Sequence, residues 1–253
     1  MLNRVLIILI IFISYSCHSE IDKSLIDNWK SYSIPTNKDT LSNYNNSPLE
    51  WTLLLKNNKV HVVKSRPYHD TSIVPFKINS DEKEKLSALP VTDGYLVGFF
   101  RGEWGGHLDW FSKDGKDHYP ISDDEIVQFI KTDGGNYAIQ GLNHMGESRG
   151  SVVAIEKKAT KWVSKEYLKL PLAPYAIASD SKKNFFIITS NSLLKIDSNK
   201  KITTLIKKGV WNSGFYSNSI SIVVRDNIVY AGMRAGVYKY SLLTRREEWL
   251  LPY

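Results

Sequence analysis

The chain has a single cysteine in 253 residues. That excludes a disulfide framework and any multi-cysteine zinc or iron–sulfur site. Helical periodicity is scarce: beyond a weak signal near the N-terminus and a charged stretch at Asp81 to Leu86, no window sustains apolar residues at i, i+3, i+4 and i+7. A helical bundle is therefore excluded. No phosphate-binding glycine loop, HExxH pair or paired-cysteine motif occurs. Acid is also the minority charge, with 26 Asp+Glu against 33 Lys+Arg and a formal net charge of +7. What remains is rich in apolar side chains, 42% hydrophobic and 12% aromatic with 7 Trp and 14 Tyr. That share is too high for wholesale disorder, and the length suits one large domain or two small ones.

The cysteine stands at the end of an unusual opening. Arg4 precedes an apolar run from Val5 to Ile13, and Ser14 and Ser16 flank Tyr15 ahead of Cys17. A charged start, a short apolar middle and a small-residue exit are the parts of a secretory signal peptide. The run is too short for a permanent span, which needs about 20 residues. The segment resembles the lipobox of bacterial lipoproteins, although Ser14 stands where such boxes usually carry leucine. The resemblance implies a signal peptide over residues 1–16, lipid modification of Cys17 as the first mature residue, and membrane attachment through that lipid. His18 in place of aspartate after the cysteine resembles an outer-membrane address facing the periplasm. The alternative is an ordinary secreted protein with a stray cysteine.

Residues 17–50 read as the anchor site and a polar tether, with one short helix allowed by the spacing of Ile21, Leu25, Ile26 and Trp29. Trp29 leaves open that part of this stretch packs on the domain. From Trp51 the texture changes. Trp51 to Leu55, the turn pair Asn57-Asn58, and Val60 to Val63 predict a β-hairpin.

A repeat follows. Asp93-Gly94 opens YLVGFF, a Gly-rich turn and LDWF; Gly135-Asn136 opens YAIQGL, a longer turn and SVVAI; Lys183-Asn184 opens FFIITS and LLKID; Asp226-Asn227 opens IVYAGM, the turn RAG and VYKY. The openings fall about 41, 48 and 43 residues apart. A further strand lies before three of them: EIVQFIKTD, YAIASD and SISIVVRD. Four short strands per unit of about 40 to 45 residues is the arithmetic of a propeller blade. Residues 51–253 resemble the diverged β-propellers of bacteria. The expected fold is all-β, a β-propeller of about five to six four-stranded blades; a two-sheet sandwich is the alternative. Glu248 to Pro252 supplies a last apolar strand, and ring closure would place Trp51 to Leu55 beside it.

Candidate site residues cluster in the hairpin turns. The segment from Arg101 to Trp110 gathers Arg101, Glu103, Trp104, His107 and Asp109 around three glycines. The next unit's turn carries His144, Glu147 and Arg149, and the fourth unit contributes Arg234. The segment Gly146 to Gly150 matches G-x-S-x-G, but that motif needs a strand-to-helix turn, and a strand follows here. Trp211 and Tyr216 lie in a third loop and could stack on a sugar or hold a peptide. Polar rims on some turns and not others suggest a binding surface.

Two function classes follow. The first is a non-catalytic binding module in the cell envelope, a scaffold, inhibitor or immunity protein, binding a protein or envelope polymer through Arg101, Glu103, Trp104, His107, His144, Arg149, Trp211, Tyr216 and Arg234. The alternative is a propeller-fold hydrolase, lyase or cyclase acting on peptide or polysaccharide, with Glu103, His107, His144 and Glu147 as acid/base groups. No cofactor, metal or nucleic acid is expected. The basic balance leaves room for an acidic partner.

Overall fold

The structure, a computed structural model, describes residues 24–37, 39, 50–65, 74–78, 85–212, 221–234 and 236–252. Cys17, the signal segment and Tyr216 lie outside the described residues, as do 81–84 of the charged stretch, whose Lys85 and Leu86 open a strand. Nineteen strands occur among the described residues. β1 is Lys30–Tyr32. β2 (Glu50–Lys56) and β3 (Lys59–Ser65) form a hairpin. Its turn residues Asn57 and Asn58 both have positive φ, the backbone a two-residue hairpin turn demands and asparagine tolerates.

Four antiparallel four-stranded sheets follow, each a meander. The first is β4 (Lys85–Val91), β5 (Gly94–Phe100), β6 (Gly106–Ser112) and β7 (His118–Ser122). The second is β8 (Ile126–Thr132), β9 (Gly135–His144), β10 (Glu147–Lys158) and β11 (Lys161–Leu170). The third is β12 (Pro174–Ser179), β13 (Phe185–Thr189), β14 (Leu193–Ile196) and β15 (Ile202–Ile206). The fourth is β16 (Ser221–Arg225), β17 (Ile228–Gly232), β18 (Val237–Ser241) and β19 (Glu247–Leu251), with β1 added on the outer edge of β19.

The first strands of the sheets are neighbours in chain order: β4 beside β8, β8 beside β12, β12 beside β16, and β16 beside β2. Sheets that meander outward from adjacent first strands have the blade-by-blade plan of a β-propeller, not the two stacked sheets of a sandwich. Apolar layers fill the gaps between successive sheets. Leu96 and Leu108 of the first meet Ile126 and Val153 of the second. Ile139 and Val152 meet Ile177 and Ile187 of the third. Phe186 and Ile188 meet Ile222, Tyr238 and Trp249 of the fourth. A middle strand covered on both faces reads as an unbroken apolar run, and all five residues of β13 (FFIIT) are buried.

The hairpin packs on the last sheet. The Trp51 amide donates to Met233 O at 2.9 Å, and Leu53, Val60 and Val62 share a layer with Val223, Tyr230 and Leu250. Trp51 and Leu53 thus stand beside the C-terminal sheet, where ring closure puts them.

Part of the stretch expected to be tether belongs to the domain. Ile26 and Trp29 are buried in that same layer, and β1 pairs with β19 from Lys30↔Leu251 to Tyr32↔Trp249. The weak helical spacing resolves as a single 3-10 turn, Ile26–Asn28, followed by an extended edge strand. The i, i+3 spacing of Ile26 and Trp29 marks what is buried without demanding further helical turns.

Candidate functional site

The turn between β5 and β6 is built for display. Gly102 (φ 63°) and Gly105 (φ 84°) carry the positive φ angles around a one-turn 3-10 helix, Gly102–Trp104. The Arg101 amide donates to Gly105 O at 2.9 Å and closes the loop. Glu103 and Trp104 are thereby lifted off the sheet, Trp104 with 72% of its surface exposed.

The next sheet brings a second turn against the first. β9 and β10 join through Met145 (φ 47°) and Gly146 (φ 87°), with His144 opposite Glu147. Lower in the same ladder, Gly141 lies so close to β10 that a Cβ would meet Arg149 O at 2.1 Å. A side chain there would force the strands apart. Across the gap between sheets, His144 Nε2 lies 2.6 Å from Glu103 Oε2. Asn143 Nδ2 donates to Tyr175 Oη at 3.0 Å, tying this turn to β12. Between the turns opens a cleft of about 140 Å³ lined by Lys85, Phe100, Glu103, Val127, His144 and Tyr175, among others.

The remaining expected site residues sort by geometry. Glu103 pairs with His144 and not with His107. His107 instead stacks on Phe99, ring centroids 4.1 Å apart, with its Nε2 3.9 Å from Asp109 Oδ2. Asp109 is buried, and that burial pushes its carboxyl above the usual range, against the pull of His107 and His118. Glu147 accepts from Arg149 Nε at 3.1 Å, while Arg149 Nη2 donates to the buried Glu125 at 2.9 Å. Hence the four acid/base candidates do not converge: Glu103 and His144 meet on the cleft, and the other two are engaged elsewhere. Arg101 is exposed beside the cleft turn. Ser148 of the GESRG segment accepts from the Ala173 amide at 2.9 Å and lies 3.1 Å from Ser190 Oγ, inside the strand β10. It joins two sheets rather than forming a nucleophile elbow.

Trp211 requires a correction. It is 2% exposed, its Nε1 donates to Thr189 O at 2.8 Å, and its ring meets Tyr238 edge-on. The indole is core and offers no face to a ligand. Arg234 sits in the turn after β17, and its charge acts on Glu50.

Glu50 and Lys85 escaped the sequence reading. Each is the first residue of its sheet, and Glu125 directly precedes β8. Burial pushes the Glu50 carboxyl up to about 7, while Lys85 and Arg234 pull it down. Burial also pulls the Lys85 ammonium below the usual lysine range, against Glu50. The available signal was a charged residue immediately ahead of an apolar run, repeated in EWTLLL, KLSALP and EIVQFI. No group of three or more His, Cys, Asp or Glu side chains able to hold a metal occurs among the described residues.

No family model matches the sequence, and no curated protein does. Several solved structures are similar in outline. A streptogramin B lyase structure is 14% identical, with a TM-score of 0.44 over 67% of this chain and 55% of that one. Virginiamycin B lyase from Staphylococcus aureus is 12% identical, with a TM-score of 0.46 over 89% and 74%. PorZ of Porphyromonas gingivalis, a surface component of the type-IX secretion system, is 10% identical, with a TM-score of 0.43 over 83% and 33%. The chain thus spans little more than half of the first and a third of the last. At these scores the likeness carries no assignment, and the fold rests on the strand topology above.

Proposed function

We propose that this chain is a lipid-anchored β-propeller of five blades, the hairpin β2–β3 being one of them. It acts in the bacterial cell envelope as a non-catalytic binding module. The lipid sits on Cys17, and the domain faces the periplasm from the outer membrane. Its ligand is a protein or envelope component that engages the turns at 101–106 and 143–147. The observation that carries this reading is Trp104: a bulky indole, 72% exposed, held on a glycine-framed turn at the rim of a cleft. Large aromatics with room to pack at a rim dominate binding energies where a partner covers them. The cleft, at about 140 Å³, suits one side chain or a comparably small group of a larger partner.

The test is a pull-down from detergent-solubilised envelope, using tagged chain with and without Trp104→Ala. A stoichiometric partner with the native chain, reduced at least about tenfold by the substitution, is the expected result. Equal recovery by both, or no stoichiometric partner, overturns the reading. Cys17→Ser is expected to move the protein out of the membrane fraction.

A second reading is favoured by one contact. The 2.6 Å approach of His144 to Glu103 on an open cleft is the geometry of a general acid–base pair. It suits an enzyme acting on peptide or polysaccharide. Turnover by the native chain that is abolished by His144→Asn would decide for it.

A further inference from the structure

Trp104 stands at one end of the propeller, and the other end carries a different surface. In an antiparallel meander successive turns alternate between the two ends. Trp104 and Met145 lie in turns that follow second strands, as does Met233, whose carbonyl accepts from the Trp51 amide. Trp51 therefore enters β2 at the Trp104 end, and Lys56 leaves it at the opposite one. In the last sheet that opposite end holds the turns at Asp226-Asn227 and 242–246, joined where the Leu242 amide donates to Asn227 O at 2.8 Å. The Arg245 amide closes the second of these turns on Ser241 O at 2.8 Å and leaves Leu243 77% exposed. Arg245 and Arg246 follow, both exposed. On the hairpin, Leu54 and Leu55 are exposed directly ahead of Lys56 and Lys59, which are exposed too. Lys182 and Lys183 continue the cationic surface onto the third sheet, where Asp180 accepts from the Lys182 and Asn184 amides of its own turn. Asp27 and Asp226 stand at this end as well, but both face Arg225, at 2.7 and 3.4 Å.

We propose that this end is a membrane-contact face that settles on a bilayer rich in anionic phospholipid headgroups. Exposed leucines set among lysines and arginines match such an interface on both counts: the apolar groups enter the headgroup boundary and the cations meet its negative potential. The route of the chain argues for a bilayer over a protein. Ser24 O accepts from the Val62 amide at 2.7 Å, and Leu25 bridges to His61, two residues past Lys59 in the hairpin turn. The segment that runs back towards Cys17 thus leaves the domain close to the basic end. With that end on the bilayer, Trp104 and the cleft face away from it.

The test places one environment-sensitive dye at either end. The full chain with Cys17→Ser carries either Leu243→Cys or Met145→Cys, labelled with nitrobenzoxadiazole. Each is titrated with phosphatidylcholine vesicles, with and without phosphatidylglycerol. Residues 1–23 are common to both chains, so any vesicle binding through them favours neither dye. The dye at position 243 is expected to brighten at least about twofold and shift to the blue on the anionic vesicles as it enters the interface. The dye at position 145 is expected to stay unchanged. No response at 243, an equal response at 145, or equal responses with and without phosphatidylglycerol overturns the proposal. Adding Lys56→Glu and Arg245→Glu is expected to raise the lipid concentration needed at least about tenfold. An unchanged requirement overturns the role of charge. A response at 243 to soluble polyglutamate that matches the response to vesicles assigns the surface to an anionic polymer and overturns the bilayer. Because Cys17→Ser removes the lipid and no protein partner is added, failure here leaves the Trp104 reading standing, and a failed pull-down leaves this one standing.

Discussion

Glu50 is a carboxyl placed where its neutral form is favoured. Its ordinary value is 4.5, and burial raises it to about 7 in the folded chain. Below pH ~4.5 both folded and unfolded chains hold the proton, so the group contributes nothing to pH dependence. Between there and pH ~7 the unfolded chain releases the proton while the folded chain keeps it, so stability falls as pH rises. Above that window the loss is complete and constant. Glu50→Gln removes the titration. The variant is expected to melt with the native chain at pH 4 and above it at pH 8, followed by intrinsic fluorescence. A variant less stable at pH 8 would mean that ionised Glu50 is needed against Lys85 and Arg234. At this scale the sequence was readable in part. The turn residues Glu103, Trp104 and His144 stood out because glycines and polar groups interrupt apolar strands. The Glu103–His144 contact did not, since the two lie one repeat apart and meet only through the packing of two sheets. Trp211 misled because an indole in a loop has the same letter whether it faces water or core.

Among the elements, the segment from Leu25 to Tyr32 departs furthest from its polar surroundings. Leu25 bridges to His61 of β3, Ile26 and Trp29 fill the layer between hairpin and last sheet, and β1 then pairs with β19. One short stretch therefore fastens two separate sheets together. Trp29 meets Trp51 edge-on at 4.9 Å, a contact between the fastener and the hairpin. Trp29→Ala is expected to cost about 3–5 kcal/mol in urea unfolding, the range for a large aromatic lost from a core. Asp27 accepts two bonds from Arg225, at 2.7 and 3.1 Å, but its side chain is 54% exposed. Asp27→Asn is accordingly expected to cost no more than about 1 kcal/mol. Equal losses from the two substitutions would show that the ion pair, not the apolar contact, holds the segment. Sequence periodicity exposed the apolar residues here, but not their destination. A tryptophan in a polar stretch signals burial without saying against what.

For the molecule as a whole, the repeat spacing gave the sheets and their order, because each opening pair is a turn and each apolar run a strand. It did not give the number of complete sheets. Among the described residues three sheets have four strands, the last has five with β1 on its edge, and the remaining unit is a hairpin. The order of contacts makes the fold depend on its last strand. The hairpin at 50–65 is supported by a sheet that begins only at Ser221, a long-range closure that a partly made chain cannot complete. A chain ending at Arg246 lacks β19. It loses Trp249 from one apolar layer and Leu250 from another, and strips β1 of its partner. Its near-ultraviolet circular dichroism is expected to collapse along with its cooperative urea transition. A sharp transition retained in that truncated chain would show that the sheets fold independently of closure.

The pairing of β1 with β19 also fixes where the polypeptide leaves the domain. The described fold begins at Ser24, and only residues 18–23 separate it from Cys17. Seven peptide steps reach at most about 25 Å when fully stretched. With the proposed lipid in place, Ser24 lies within that distance of the lipid-bearing residue, so the domain is held close to the bilayer. A partner must then come to the membrane surface to be bound. Inserting residues between Cys17 and Ser24, more than altering the domain, is the way to change how far the protein can search.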